Sequence, residues 1–360
     1  MTDGTTDAAN VGMRRLRLLL VVSVIAASPV ARAAPPGDPL PGLAAAPAGA
    51  SPGAEASAAA GPSDERTGEP ETDARIRREE APTRRSLVLS AAGTAGIYAA
   101  LYGWLSLAWF VRTTDSERFQ THDEGWFGED TYAGGADKLG HAWGNYAMTR
   151  GVSQILAYGG WSRRGSVAVA GALSLAFFTF SEIKDGYKIE YGFSYGDMIA
   201  NATGVGLGVL MELVPELDRR FDFHVSYWPS GDYLARLEAD GPFNTPEDYT
   251  GQTSLVSYHL GSSEAVLRRA SWAEFVDLDV GFRAINYKPV PSDGGERSQE
   301  LFVGVSINLQ AVADSMTGHG VGAGMLHFVT EVYQAPYTTF RVFGVERTGS
   351  PPTSLTSATP

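Results

Sequence analysis

The sequence predicts an α+β protein: a membrane-associated bundle of about four helices at residues 86–220, followed by a small antiparallel β-rich segment at residues 221–347. Three observations predict it. Four apolar stretches of helical length succeed one another between residues 86 and 214. After Phe221 the pattern changes to period two, as where Val276, Leu278, Val280, Phe282 and Ala284 alternate with Asp277, Asp279, Gly281 and Arg283, the mark of a half-buried strand. Acids, a His and an Asn recur at turn spacing on the apolar stretches, and ionisable groups on such helices point to a functional site.

Taken in order, Met13-Arg14-Arg15-Leu16-Arg17, the apolar run from Leu18 to Ala27 and Ala31-Arg32-Ala33 have the parts of a secretory signal peptide. Residues 1–33 are therefore expected to be removed, with Met13 as the natural start. Residues 34–85 are rich in Ala, Pro, Gly and Ser and then in alternating charge, which reads as a disordered linker because little apolar surface offsets its ordering entropy. Residues 86–111 carry no charge and are flanked by Arg84, Arg85 and Arg112, with Trp104 and Trp109 near the far end, the pattern of a bilayer span. The competing reading is a buried helix of a soluble bundle, packed closely through Gly93, Gly96 and Gly103. Signal cleavage would put Arg84 and Arg85 on the exported side, against the positive-inside tendency, and leaves orientation open.

Helices are expected next at 138–158, 166–183 and 197–214, broken by Gly159-Gly160, Gly192 and Pro215. Strands are expected at 223–227, 255–260, 276–284, 303–309, 327–333 and 339–345, too few of suitable length for a complete outer-membrane barrel. Residues 348–360 read as a disordered tail.

Lys plus Arg number 28 against 41 Asp plus Glu, a net charge of -13, so no basic footprint exists for nucleic acid. The absence of Cys excludes disulfides, thiolate metal sites, a Cys nucleophile and a lipidated N-terminal Cys. Any metal would need oxygen and imidazole ligands.

At about 100° per residue, Asp197, Asn201, Gly204 and Gly208 share a stripe roughly 60° wide, as do Asp137, His141, Gly144 and Met148. Glu182 and Asp185 end the helix between them, so the polar groups can meet. Asp137, one turn from His141, can orient the imidazole as a general base. Asp137, Glu182 and Asp197 offer oxygens to a hard cation such as Mg²⁺ or Ca²⁺. Lys138, Glu182, Asp185, Asp197 and Asn201 form the expected ligand-binding set. The structural alternative is a cross-helix network in which Lys138 neutralises an acid. No second His lies at ligand spacing, which disfavours zinc. Gly192-Phe193-Ser194-Tyr195-Gly196 matches a nucleophile pattern that needs a buried strand before it; residues 184–191 are too polar for one, and Ser194 reads instead as an N-cap with Asp197 three residues on. Residues 123–130 mix acids and aromatics, as a solvated loop with an aromatic anchor or an interfacial lid. His122, His224, His259, His319 and His327 have no partner at helical spacing.

Asp137-Lys138-x-x-His141, Glu182, Asp185-Gly186, Tyr191-Gly192-Phe193-Ser194, Asp197, Asn201 and Gly204, in that order, resemble the family described as predicted periplasmic lipoproteins, the YfiM-like domain of unknown function, and more distantly the VanZ-like membrane proteins. The similarity continues through Asp248-Tyr249-Thr250-Gly251-Gln252-Thr253 and Ala335-Pro336-Tyr337-Thr338 and covers most of the chain after about Gly93. The resemblance implies an exported envelope protein with a helical core and carries no assigned reaction. The missing Cys departs from the lipoprotein pattern, and the apolar helix at 87–111 would take over the anchoring. Three functional readings follow: binding of a membrane lipid or glycolipid head group; an enzyme on an envelope lipid, with His141 as base, Asp137 orienting it and a cation held by Glu182 and Asp197; or a purely structural envelope role.

Overall fold

A capping box opens the first helix, with Thr83 Oγ1 accepting from the Ser86 N–H and Ser86 Oγ accepting from the Thr83 N–H. The computed structural model describes residues 82–349 except 240, 242, 292 and 293. The signal peptide expected at 1–33, the linker up to residue 81 and the tail from residue 350 lie outside the described residues. Helix α1, Arg84–Leu105, runs into a π-helical turn at Ser106–Phe110. Its buried positions are Ser86, Ser90 and Thr94, at four-residue spacing, and Ser86 Oγ donates to the Gly159 carbonyl. Small polar residues thus face the bundle while Val88, Leu89 and Leu107 are exposed.

Three long helices follow: α2, Ala136–Tyr158; α3, Arg163–Asp185; and α4, Tyr195–Leu213. Ser162 caps α3 and Ser194 caps α4, each accepting a backbone N–H of the first turn. These helices lie where four apolar stretches were expected. Two segments, Arg84–Phe110 and Arg163–Asp185, are long and apolar enough to cross a membrane by length and composition.

Beyond them come α5, Pro215–Asp218; β1, Phe221–Tyr227; α6, Gly231–Glu238; β2, Gln252–His259; α7, Glu264–Leu267; β3, Val276–Ile285; β4, Arg297–Ile307; α8, Leu309–Met316; α9, Val321–Val332; and β5, Thr339–Gly349. The strands form one antiparallel meander in the order β1-β2-β3-β4-β5, with a bulge at Val303/Gly304. The outer edge of β1 is met by Tyr333, which bridges Val225, and by the Gln334 N–H, which donates to the Val225 carbonyl.

The α+β class is as expected, with a helical region preceding an antiparallel sheet. The helix count is corrected: nine α-helices occur among the described residues, not about four. Four of the added ones have only four or eight residues, and a helix of one or two turns leaves too few positions for its period to show. The strand expected at 327–333 is also corrected, since most of it lies in α9. There Phe328 and Val332 pack against the cluster of Tyr146, Met211 and Phe223, and this burial overrides the β-branched composition.

The interior is unusually polar. Arg150, His224, Glu212, Glu331, Asn145 and Asn201 are among the largest fully buried side chains. Arg150 on α2 reaches Glu212 at 3.0 Å, Glu331 at 2.9 Å and Asp218, tying α2 to α4, α5 and α9.

Candidate functional site

The first turn of α2 carries Asp137 and Lys138, both buried. Lys138 Nζ lies 3.0 Å from Asp137 Oδ2, 2.7 Å from Asp197 Oδ1 on α4 and 2.7 Å from Glu124 Oε2 on the preceding loop. One ammonium group is therefore surrounded by three carboxylates, matching its three donors in number. Asp197 Oδ1 nonetheless has no aligned hydrogen-bond donor. Tyr249, beside the sheet, donates its hydroxyl to Asp137 Oδ1.

One turn along α2, His141 Nδ1 lies 3.0 Å from Asn201 Oδ1, which also accepts from Asn145 Nδ2 at 2.7 Å. Because that oxygen is an acceptor, Nδ1 carries the hydrogen and Nε2 is turned to the acids. Nε2 stands 3.6 Å from Glu182 Oε1, 3.7 Å from Asp137 Oδ1 and 4.0 Å from Asp197 Oδ1. These separations are too long for hydrogen bonds. Ser174 Oγ fixes Asn145 in turn, at 2.9 Å from its Oδ1.

The structure thus brings together Asp137, Lys138, His141, Glu182, Asp197 and Asn201. Asp185 borders them from the end of α3, within electrostatic reach of His141. Of the expected metal set of Asp137, Glu182 and Asp197, Asp137 and Asp197 fall in one ligand group with His141. Among the described residues, Asp137, His141 and Asp197 each offer one ligand atom within 4.8 Å of the others. Ser194 holds the Asp197 N–H at 3.2 Å as an N-cap and is buried, which matches the capping role over the nucleophile pattern.

Glu124, Tyr249 and Asn145 are functional candidates that the sequence reasoning passed over. Asn145 lies four residues after His141 on the same helix face and was open to recognition. Tyr249 has no local signal, being 112 residues from its partner. Two of the remaining histidines find partners distant in sequence: His259 Nε2 lies 3.0 Å from Asp222 and its Nδ1 2.8 Å from Asp277, while His327 Nδ1 lies 2.9 Å from Asp314.

Glu124 also lines a cavity of about 330 Å³ with His122, Asp123, Asp130, Tyr132, Glu190 and Tyr191. This cavity, which meets the cluster at Glu124, is therefore acidic. Lys288 Nζ sits 3.4 Å above the Tyr132 ring, a cation–π contact at the cavity wall. Burial, helped by Asp137 and Asp197, pushes the Glu124 carboxyl up to about 7 despite the attraction of Lys138. Its folded value thus exceeds its ordinary one, so its contribution to stability is present below about pH 4.5 and lost as pH rises through 7. Glu124→Gln is expected to flatten the thermal-stability profile between about pH 4.5 and 7, where the folded chain holds this proton and the unfolded chain does not. An unchanged slope would show that Glu124 is hydrated and ordinary.

Residues 123–213 match the family model described as "Predicted periplasmic lipoprotein (DUF2279)". Every residue of the cluster from Glu124 to Asn201 lies inside that stretch. The description fits an exported, envelope-associated protein and assigns no reaction; it does not extend to a YfiM-like or VanZ-like relationship. No curated protein and no solved structure matches the chain. Residues 123–213 are thus similar to the predicted periplasmic lipoprotein family, in a chain with no Cys for acylation.

Proposed function

We propose that the protein is a membrane-associated envelope protein whose acidic pocket binds a lipid or glycolipid head group through a cationic group, such as the ammonium of an ethanolamine or an amino sugar. The observation that carries this reading is the charge of the site. Five carboxylates, those of Glu124, Asp137, Glu182, Asp185 and Asp197, surround Lys138 and His141, and the cavity that Glu124 lines adds Asp123, Asp130 and Glu190. Such a pocket repels a bare phosphate and attracts an amine. Binding of the purified protein to phosphatidylethanolamine nanodiscs, compared with phosphatidylglycerol nanodiscs, tests it. Preference for the amine lipid that falls about tenfold or more in Asp197→Asn is the expected result, the size typical of one lost charge-assisted contact. Equal binding to both lipids, or no effect of the substitution, would remove the proposal.

A second reading rests on one geometric fact. With Nδ1–H committed to Asn201, an unprotonated Nε2 would aim its lone pair at three carboxyl oxygens 3.6–4.0 Å away, so a proton or a metal ion must stand between them. Asp137, His141 and Asp197 suit a divalent cation with mixed oxygen and imidazole ligands, and an ion there would support an enzyme acting on an envelope lipid. Elemental analysis after dialysis against Mg²⁺, Ca²⁺ or Mn²⁺ checks it: about one ion per chain, lost in His141→Ala, supports the metal, and none retained rejects it.

A further inference from the structure

Strands β2 to β4 bury a face rich in polar side chains, beside Leu255 and Phe302, and leave an apolar face open, the inverse of a soluble sheet, while β5 is open on both faces. On one face Ser257, His259, Asp277, Asp279 and Ser306 are buried. Both serine hydroxyls donate to Asp279 Oδ1, at 2.7 and 3.1 Å, and His259 joins Asp222 and Asp277. On the opposite face the register aligns Val280 with Val303 and Phe343, and Phe282 with Leu301 and Val345. These apolar side chains are open: Val280 is 51% exposed, Leu301 56%, Phe343 67% and Val345 62%. An antiparallel sheet of a water-soluble protein points its apolar face to the core and its polar face to solvent. Polar-in, apolar-out alternation belongs to strands that meet lipid.

The same face closes into an apolar cavity of about 630 Å³ against Phe127 and against Leu139 of α2. The loop that supplies Glu124 to Lys138 also supplies Phe127, whose ring meets Phe282 edge-on with centroids 5.4 Å apart. Head-group pocket and apolar cavity are therefore joined by one loop. The apolar window of Arg84–Phe110 is likewise open, being only 17% buried.

We propose that the apolar sheet face is covered by acyl chains of the bilayer, one of them seated in the cavity at Phe127 and Leu139, so that the β-segment belongs to the membrane-embedded body. The ligand class is that of the preceding reading, but the residues are different. The β1 edge is met by Tyr333 and Gln334. The outer edge of β5 has no strand partner among the described residues, so that edge faces water or polar head groups while the apolar face of the sheet turns to the acyl chains.

The chain has no Cys, so single-Cys variants carry one spin label each. Val280→Cys, Val303→Cys and Phe343→Cys are labelled in vesicles of phosphatidylethanolamine and phosphatidylglycerol, with Arg268→Cys, a 71% exposed side chain, as the aqueous reference. Relaxation by oxygen several-fold stronger than by a water-soluble nickel chelate at the three sheet positions, and the reverse at Arg268, is the expected result. Equal access of the chelate to all four positions overturns the proposal. Exclusion of both reagents, with spin broadening that vanishes on dilution with unlabelled protein, also overturns it, because a second copy then covers the face. Repeating the measurement in Asp197→Asn separates the two readings, since loss of head-group binding leaves the sheet labels unchanged.

Discussion

Arg150→Ala is expected to destabilise the protein by about 3–5 kcal/mol, the range for removing one partner of a buried ion pair. The side chain is 1% exposed and its guanidinium faces Glu212, Glu331 and Asp218 from three other helices. Removing the cation leaves these acids buried beside one another without the charge they share. Uptake of protons is then their cheapest response, and the loss should shrink at low pH. Arg150→Met keeps much of the volume and should lose a similar amount, which separates charge from packing. Arg150→Met combined with Glu331→Gln and Glu212→Gln should recover part of the loss, because a network replaced as a unit costs far less than one broken at a single member. Chemical denaturation in one detergent measures all three. An unchanged midpoint for Arg150→Ala would mean that water reaches this network and that the interior is not dry.

That network was invisible in the sequence for the same reason that the candidate site was partly legible. Asp137, His141 and Asn145 are spaced by single turns of one helix, and Asp197 and Asn201 by a turn of another, so periodicity alone collects them on two facing stripes. Ser194 announces the start of α4 through its own side chain. Arg150 lies on the opposite face of α2, and its partners Glu212, Asp218 and Glu331 are on α4, α5 and α9, so no local pattern brings them together. Tyr249 and Glu124 reach the cluster from loops, where spacing carries no direction. The strands at Val276–Ile285 and Arg297–Ile307 were legible from their alternation. The alternation does not say which of the two faces is buried; here the polar one is, and only the fold reveals it. The strand expected over α9 failed because β-branched residues there serve a helix packed on Tyr146 and Phe223.

Gly204→Ala is expected to be the most damaging single methyl that can be added to the bundle. A Cβ at this position would collide with the carbonyl oxygen of Ala142 on α2 and stand 2.8 Å from its carbonyl carbon and 2.9 Å from its Cα. These are backbone atoms of a helix interior, so no side chain can turn away and the two helices must separate. Overpacking of this kind costs about 1–3 kcal/mol, and more where the backbone is rigid. The separation also acts on the site, because Asn201 lies nearly one turn before Gly204 on α4 and holds His141 Nδ1 at 3.0 Å. Gly206 provides the contrast within the same helix: a Cβ there meets nothing within 4 Å, and Gly206→Ala should stabilise by about 0.5–1 kcal/mol through helix propensity alone. Thermal unfolding of both variants in one detergent, with amine-lipid binding measured alongside, gives the comparison. Opposite signs, with binding lost only in Gly204→Ala, would establish that close contact of α2 and α4 builds the pocket; equal stability of the two variants would show that these helices do not meet at Gly204.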